Sequence, residues 1–135
     1  MATGTAGDAS REYHQSMVHY LRKRFTYADD GSTLTMGVIP PKAVVLRGGV
    51  AVVEAFNAGS TNVLDIGTSG DTDGFATDLA LGTVGVIVAD EMATSNDFYS
   101  ASSQTIQCVV DLTGTAATTG IGIAWVEYII NTEGE

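Results

Sequence analysis

Thirty-nine of the 135 residues are β-branched (14 Val, 8 Ile and 17 Thr), and 16 more are glycine. Side chains branched at Cβ fit the pleat of a sheet and lose rotamer freedom in a helix, while glycine supplies the backbone angles of tight turns. A chain so weighted is driven toward many short strands. The only prolines, Pro40 and Pro41, stand together and end a strand, because neither can donate to a sheet ladder. Apolar content of 44% with 16% charge is enough for a packed core, and the length suits one domain.

The hydrophobic pattern divides accordingly. Met17–Tyr27 reads as a strand, with Met17, His19, Leu21, Phe25 and Tyr27 on one face and Arg22, Arg24 and Thr26 on the other; Lys23 interrupts the apolar face. Leu34–Ile39 is a second strand, and Val44–Phe56 a third with a bend at Arg47-Gly48-Gly49. Asn57–Thr61 has the chemistry of a five-residue hairpin loop into Asn62–Ile66. Residues 67–83 read as a long loop with one helical turn around Asp73–Leu81, and Val84, Val86 and Val88 alternate as a strand. Thr105–Leu112 is the cleanest strand, with Ile106, Cys108, Val110 and Leu112 on its buried face. Ile121–Ile130 is apolar on both faces: Ala124, Val126, Tyr128 and Ile130 on one, Ile123, Trp125 and Ile129 on the other. Such a strand belongs in the middle of a sheet or in a subunit contact. The expectation is an all-β fold, an antiparallel β-sandwich or jelly roll of seven to eight strands. A flexible arm over 1–12, a domain over 13–131 and a short tail over 132–135 complete the expected organisation.

Charge is distributed unevenly. Residues 1–28 carry Arg11, Arg22, Lys23 and Arg24 against Asp8 and Glu12, or +2; the remainder carries Lys42 and Arg47 against fourteen carboxylates, or −12. A small basic foot under an acidic body suits docking by one end. A net charge of −10 opposes general binding of nucleic acid, whose phosphates the body would repel. No apolar run approaches the ~20 residues of a membrane span, and the N-terminal stretch lacks the apolar centre of a signal peptide, so synthesis in a cytoplasm is expected.

Catalytic chemistry has no visible support. His14 and His19 lie five apart without Cys or Glu in a ligand pattern, and read as surface or edge residues. Cys108 reads as a small core hydrophobe. Gly67-Thr68-Ser69-Gly70 lacks the following Lys of a phosphate loop. Asp71-Thr72-Asp73-Gly74, with Asp65 and Asp78 near, shares the opening of a calcium loop; the later ligands are missing, and Asp and Gly are also ordinary turn residues. No cofactor and no enzyme activity are expected.

The run Ala55-Phe56-Asn57-Ala58-Gly59-Ser60-Thr61-Asn62-Val63-Leu64-Asp65-Ile66-Gly67-Thr68, followed by Asp71, Asp73 and Phe75, and the terminal Ala124-Trp125-Val126-Glu127-Tyr128-Ile129 resemble small virion proteins of tailed bacteriophages, the head decoration or cement proteins. The resemblance spans residues 38–130. It implies a β-sandwich, often trimeric, on the outside of a capsid, with the major capsid protein as partner. In that frame Arg22, Lys23, Arg24, Phe25 and Tyr27 are the expected capsid-docking residues, and Ile123, Trp125 and Ile129 the expected subunit interface. The alternative is a tail or fibre component binding carbohydrate, with Trp125 and the tyrosines as stacking platforms. A small hydrolase is a third class, without a motif behind it.

Overall fold

The computed structural model describes residues 18–89 and 98–130. The arm over 1–12, His14, Met17 and the tail over 132–135 lie outside the described residues. Eight strands follow in order: β1 (Val18–Thr26), β2 (Thr33–Ile39), β3 (Val44–Glu54), β4 (Thr61–Thr68), β5 (Ala76–Ala80), β6 (Gly85–Val88), β7 (Gln104–Thr113) and β8 (Ile121–Ile129). A 3-10 turn, Tyr27–Asp29, links β1 to β2. There Thr26 accepts the Ala28 N–H and Asp29 accepts the Thr26 N–H, a reciprocal cap that fixes the exit from the strand.

The strands form two antiparallel four-stranded sheets, ordered β1-β8-β3-β6 and β2-β7-β4-β5. Among strands adjacent in sequence only β4 and β5 share a sheet; every other connection crosses from one sheet to the other. That alternation is the double Greek key of a jelly roll, in agreement with the all-β sandwich expected from composition.

The crossings correct one local reading. Asn57–Thr61 is no hairpin loop, because β3 and β4 lie in different sheets. Its polar groups bond to the β7–β8 connection instead: the Gly59 and Ser60 N–H groups donate to the Thr115 and Thr113 carbonyls, and Asn57 Oδ1 accepts from the Thr118 and Thr119 N–H groups. A second correction falls at Asp73–Leu81, expected to contain a helical turn. Ala76–Ala80 is strand β5, held at the sheet edge by pairing of Leu79 with Leu64 and Ala76 with Ile66.

The core lies between the sheets. Phe25, Val45, Val50, Val52, Ala124 and Val126 of the first sheet meet Leu64, Ile66, Ile106, Cys108, Val110 and Leu112 of the second. Phe56, Phe75 and Leu81 close it from the connections. The rings of Phe25 and Phe56 meet at 5.5 Å between centroids. Gly122 makes room for Phe25, since a Cβ there would lie 2.5 Å from the Phe25 ring.

Candidate docking face

The register of the first sheet decides what its outer surface carries. Alternation along β1 turns Phe25 inward, and Val18, Tyr20, Arg22 and Arg24 outward. Pairing with β8 places Arg22 opposite Trp125, Arg24 opposite Ile123 and Val18 opposite Ile129. On the other side of β8, Gly49 of β3 faces Trp125 and Ala51 faces Ile123; these in turn face Val88 and Val86 of β6. The result is one surface four strands wide. Arg22 and Arg24 stand along its β1 rim, Ile123 and Trp125 in its middle, and Val86 and Val88 along its β6 rim.

The small residues of β3 shape this surface. A Cβ at Gly49 would collide with the Ile87 carbonyl oxygen and lie 2.9 Å from Trp125 Cζ2, so the indole rests across the glycine. Trp125 is consequently half-buried, as are Ile123 and Ile129 on the same strand, whereas Tyr20 is 64% and Val86 69% exposed. Val18, Val53, Val84 and Val88 add further exposed apolar area on the same sheet and its approach to β6. Single exposed valines are ordinary; a contiguous apolar patch on one sheet face marks an interaction surface.

Arg47 on β3 donates to Glu127 on β8 at 2.9 Å, an ion pair in the same face. No carboxylate among the described residues pairs with Arg22 or Arg24. Beside them is a depression of about 300 Å³ lined by Arg22, Lys23, Arg24 and Ile123.

The outer face of the second sheet differs in kind. Thr33, Thr35, Thr105, Asp111 and Thr113 are exposed on β2 and β7, and Asp65 projects from β4. Asp65 Oδ1 accepts the Asp78 N–H at 2.8 Å. Burial raises the Asp65 carboxyl above its ordinary 3.8, the Asp78 N–H pulls it down, and the charges of Asp78, Asp73 and Asp111 raise it further. One face of the sandwich is largely apolar with a basic rim; the other is hydroxyl-rich and acidic, with Val38 its strongly exposed apolar side chain.

The residues singled out by sequence are partly regrouped. Phe25 is 1% exposed and belongs to the core, so it has no surface to offer a partner; the alternation that points Arg24 outward points Phe25 inward. Lys23 is half-buried on the inward side of the strand, and Tyr27 is exposed in the turn beyond it. Arg22 and Arg24 stand directly beside Ile123 and Trp125, residues that sequence had assigned to a different contact. The valines of β6 were visible as an alternating strand, but nothing local tells which sheet receives them.

Other chemistry is not assembled. Among the described residues no group of three or more His, Cys, Asp or Glu side chains is placed to hold a metal ion. Asp71 serves the β4–β5 turn through its backbone: its N–H donates to Thr68, and its carbonyl accepts from Thr68 and Gly74. The Asp73 carbonyl accepts the Thr77 hydroxyl. Cys108 is buried, and that burial pushes its thiol up to about 12, which suppresses the nucleophilic thiolate. His19 stacks on Tyr128 at 5.5 Å. No helix among the described residues is long and apolar enough to cross a membrane.

No protein-family model matches the sequence, and no curated protein matches it. Solved structures do. A chain in the capsid of Ralstonia phage GP4 aligns with a TM-score of 0.65 at 19% identity, over 88% of this chain and 88% of that one. A chain in the cyanophage Pam1 capsid asymmetric unit aligns at 0.58 and 18%, over 85% of this chain and 84% of that one. A chain in the acidic stable capsid structure of Helicobacter pylori bacteriophage KHP30 aligns at 0.58 and 18%, over 86% and 90% respectively. Across nearly its whole length, then, this jelly roll shares its fold with chains found in phage capsid structures.

Proposed function

We propose that this chain is a non-enzymatic virion protein that binds the outer surface of a phage head as decoration or cement, and that it does so as a homotrimer. The observation that carries the reading is the contrast between the two outer faces of the sandwich. An apolar face with basic residues at its rim is built to lie against something, and an acidic, threonine-rich face to meet solvent. The fold shared with chains in phage capsid structures supports the setting.

The size of the face bears on how such binding would work. Four strands ~4.8 Å apart and nine residues at ~3.4 Å each give a footprint of at most roughly 600 Å². A stable interface of standard size takes about 800 Å² of accessible surface from each partner, so one sheet face is of the order of a single such contact. Three linked copies engaging neighbouring shell subunits would convert single contacts into tight attachment, because the second and third contacts form at high effective concentration.

Cryo-electron microscopy of phage particles that carry the chain is the direct test. The expected result is density on the head exterior in clusters of three. Density confined to a tail or fibre would overturn the head assignment and favour the carbohydrate-binding alternative.

A further inference from the structure

Sequence reading sends Arg22 and Arg24 to one partner and Ile123, Trp125 and Ile129 to another. The strand register makes them cross-strand neighbours on a single face. One surface cannot serve two partners at once, so the partner has to be chosen, and charge supplies the choice.

Suppose first that the face packs on its own copy. Among the described residues it can then offer Arg22 and Arg24 only the carboxylates it carries itself, Glu127 and Glu54, two against the three arginines Arg22, Arg24 and Arg47. Glu127 already accepts from Arg47, and Glu54 Oε1 already accepts the Gly120 N–H. Like-with-like packing would therefore bring three guanidinium groups per copy against two carboxylates, an excess of like charge that opposes association. Suppose instead that the face packs on the acidic face of the next copy. Charges would then match, but Trp125 and the β6 valines would press on threonine hydroxyls and the Asp65–Asp111 region, and polar groups would be desolvated without partners. Head-to-tail stacking of opposite faces also need not close, and tends toward fibres.

We infer that the outer face of the β1-β8-β3-β6 sheet docks on a different protein: a shell surface with an apolar centre and carboxylates along one side. This rests on the reading of the chain as a shell-binding protein. Ile123, Trp125, Val86 and Val88 supply the desolvated centre. Arg22 and Arg24 receive the partner's carboxylates beside the depression they share with Ile123, fixing orientation and speeding encounter. Ile123, Trp125 and Ile129 are thus assigned to the shell, and contacts between copies fall elsewhere on the molecule.

The test uses the full chain and heads of the same phage produced without it. Arg22→Glu combined with Arg24→Glu, and separately Val86→Asp, change exposed side chains only; unchanged circular dichroism and melting establish that each variant folds. Asp111→Lys on the opposite face is the control. Each first-sheet variant is expected to lower head binding by about tenfold or more, with the arginine pair losing its effect at high salt, while the control binds as wild type. Light scattering is expected to give all variants the same mass as wild type. Wild-type binding by both first-sheet variants would overturn the docking face and leave shell binding intact. A fall in mass of the free protein on either substitution would also overturn it, by giving the face to a contact between copies. Failure of the wild-type chain to bind heads at all would remove the shell-binding reading and this inference with it.

Discussion

Two residues one position apart, Arg24 and Phe25, show how far strand alternation separates neighbours. Arg24 lies exposed on the outer face; Phe25 is packed against Phe56 in the core. Phe25→Ala is accordingly a core deletion and is expected to cost about 3–5 kcal/mol. A chemical-denaturation midpoint within error of wild type would contradict that. Asp65 presents the opposite case, a carboxylate whose folded form resists ionisation because of burial and the negative charges of Asp78, Asp73 and Asp111. With its folded value raised above the unfolded one, it favours the fold fully below the unfolded value and loses that contribution as pH rises through the folded value. Asp65→Asn keeps an oxygen to accept the Asp78 N–H and removes the charge. It should raise the melting temperature slightly at neutral pH, by the equivalent of about 0.5 kcal/mol or less. No gain should remain at pH values where the aspartate is protonated in both states.

At the scale of elements, β1 is the strand whose role changes most between sequence and structure. In the sequence its arginines and lysine mark it as a basic foot suited to docking by one end. In the fold it pairs with β8 along its full length, from Val18 opposite Ile129 to Thr26 opposite Ile121, and contributes Phe25 to the core. Removing residues 1–28 should therefore leave a chain that aggregates or fails to fold, because it opens the β8 edge and empties the Phe25 site. Removing residues 1–16 spares the strand and should leave the circular dichroism spectrum and melting temperature near those of the full chain. A cooperative melt from the longer truncation would show that β1 is dispensable after all.

At the scale of the whole molecule, charge acts in two opposite directions. Each chain carries −10, so bringing copies together is opposed by repulsion that salt screens. Docking through Arg22 and Arg24 is attractive, and salt weakens it. Raising ionic strength should thus favour the proposed homotrimer, with a mass of about 42 kDa or three times the 14.0 kDa of one chain, while loosening the proposed attachment to heads. Light scattering and head sedimentation across one salt series measure both trends. Parallel trends would mean that a single surface serves both contacts.

Strand content, the positions of most strands and the inward set Ile106, Cys108, Val110 and Leu112 were legible in the amino-acid sequence, because β-branched residues, period-2 alternation and turn glycines act over a few residues. The apolar character of Ile123, Trp125 and Ile129 was legible for the same reason. What local chemistry does not encode is which strands become neighbours. Asn57–Thr61 has the composition of a hairpin loop and instead crosses between sheets; Ala76–Ala80 becomes a strand through pairing with β4. The candidate docking face follows the same rule. Arg22, Trp125, Gly49 and Val88 are drawn from four separate segments, and only the pairing of β1, β8, β3 and β6 lines them up. Side-chain direction is a property of each strand alone, but a face exists only once long-range pairing has set the strands side by side.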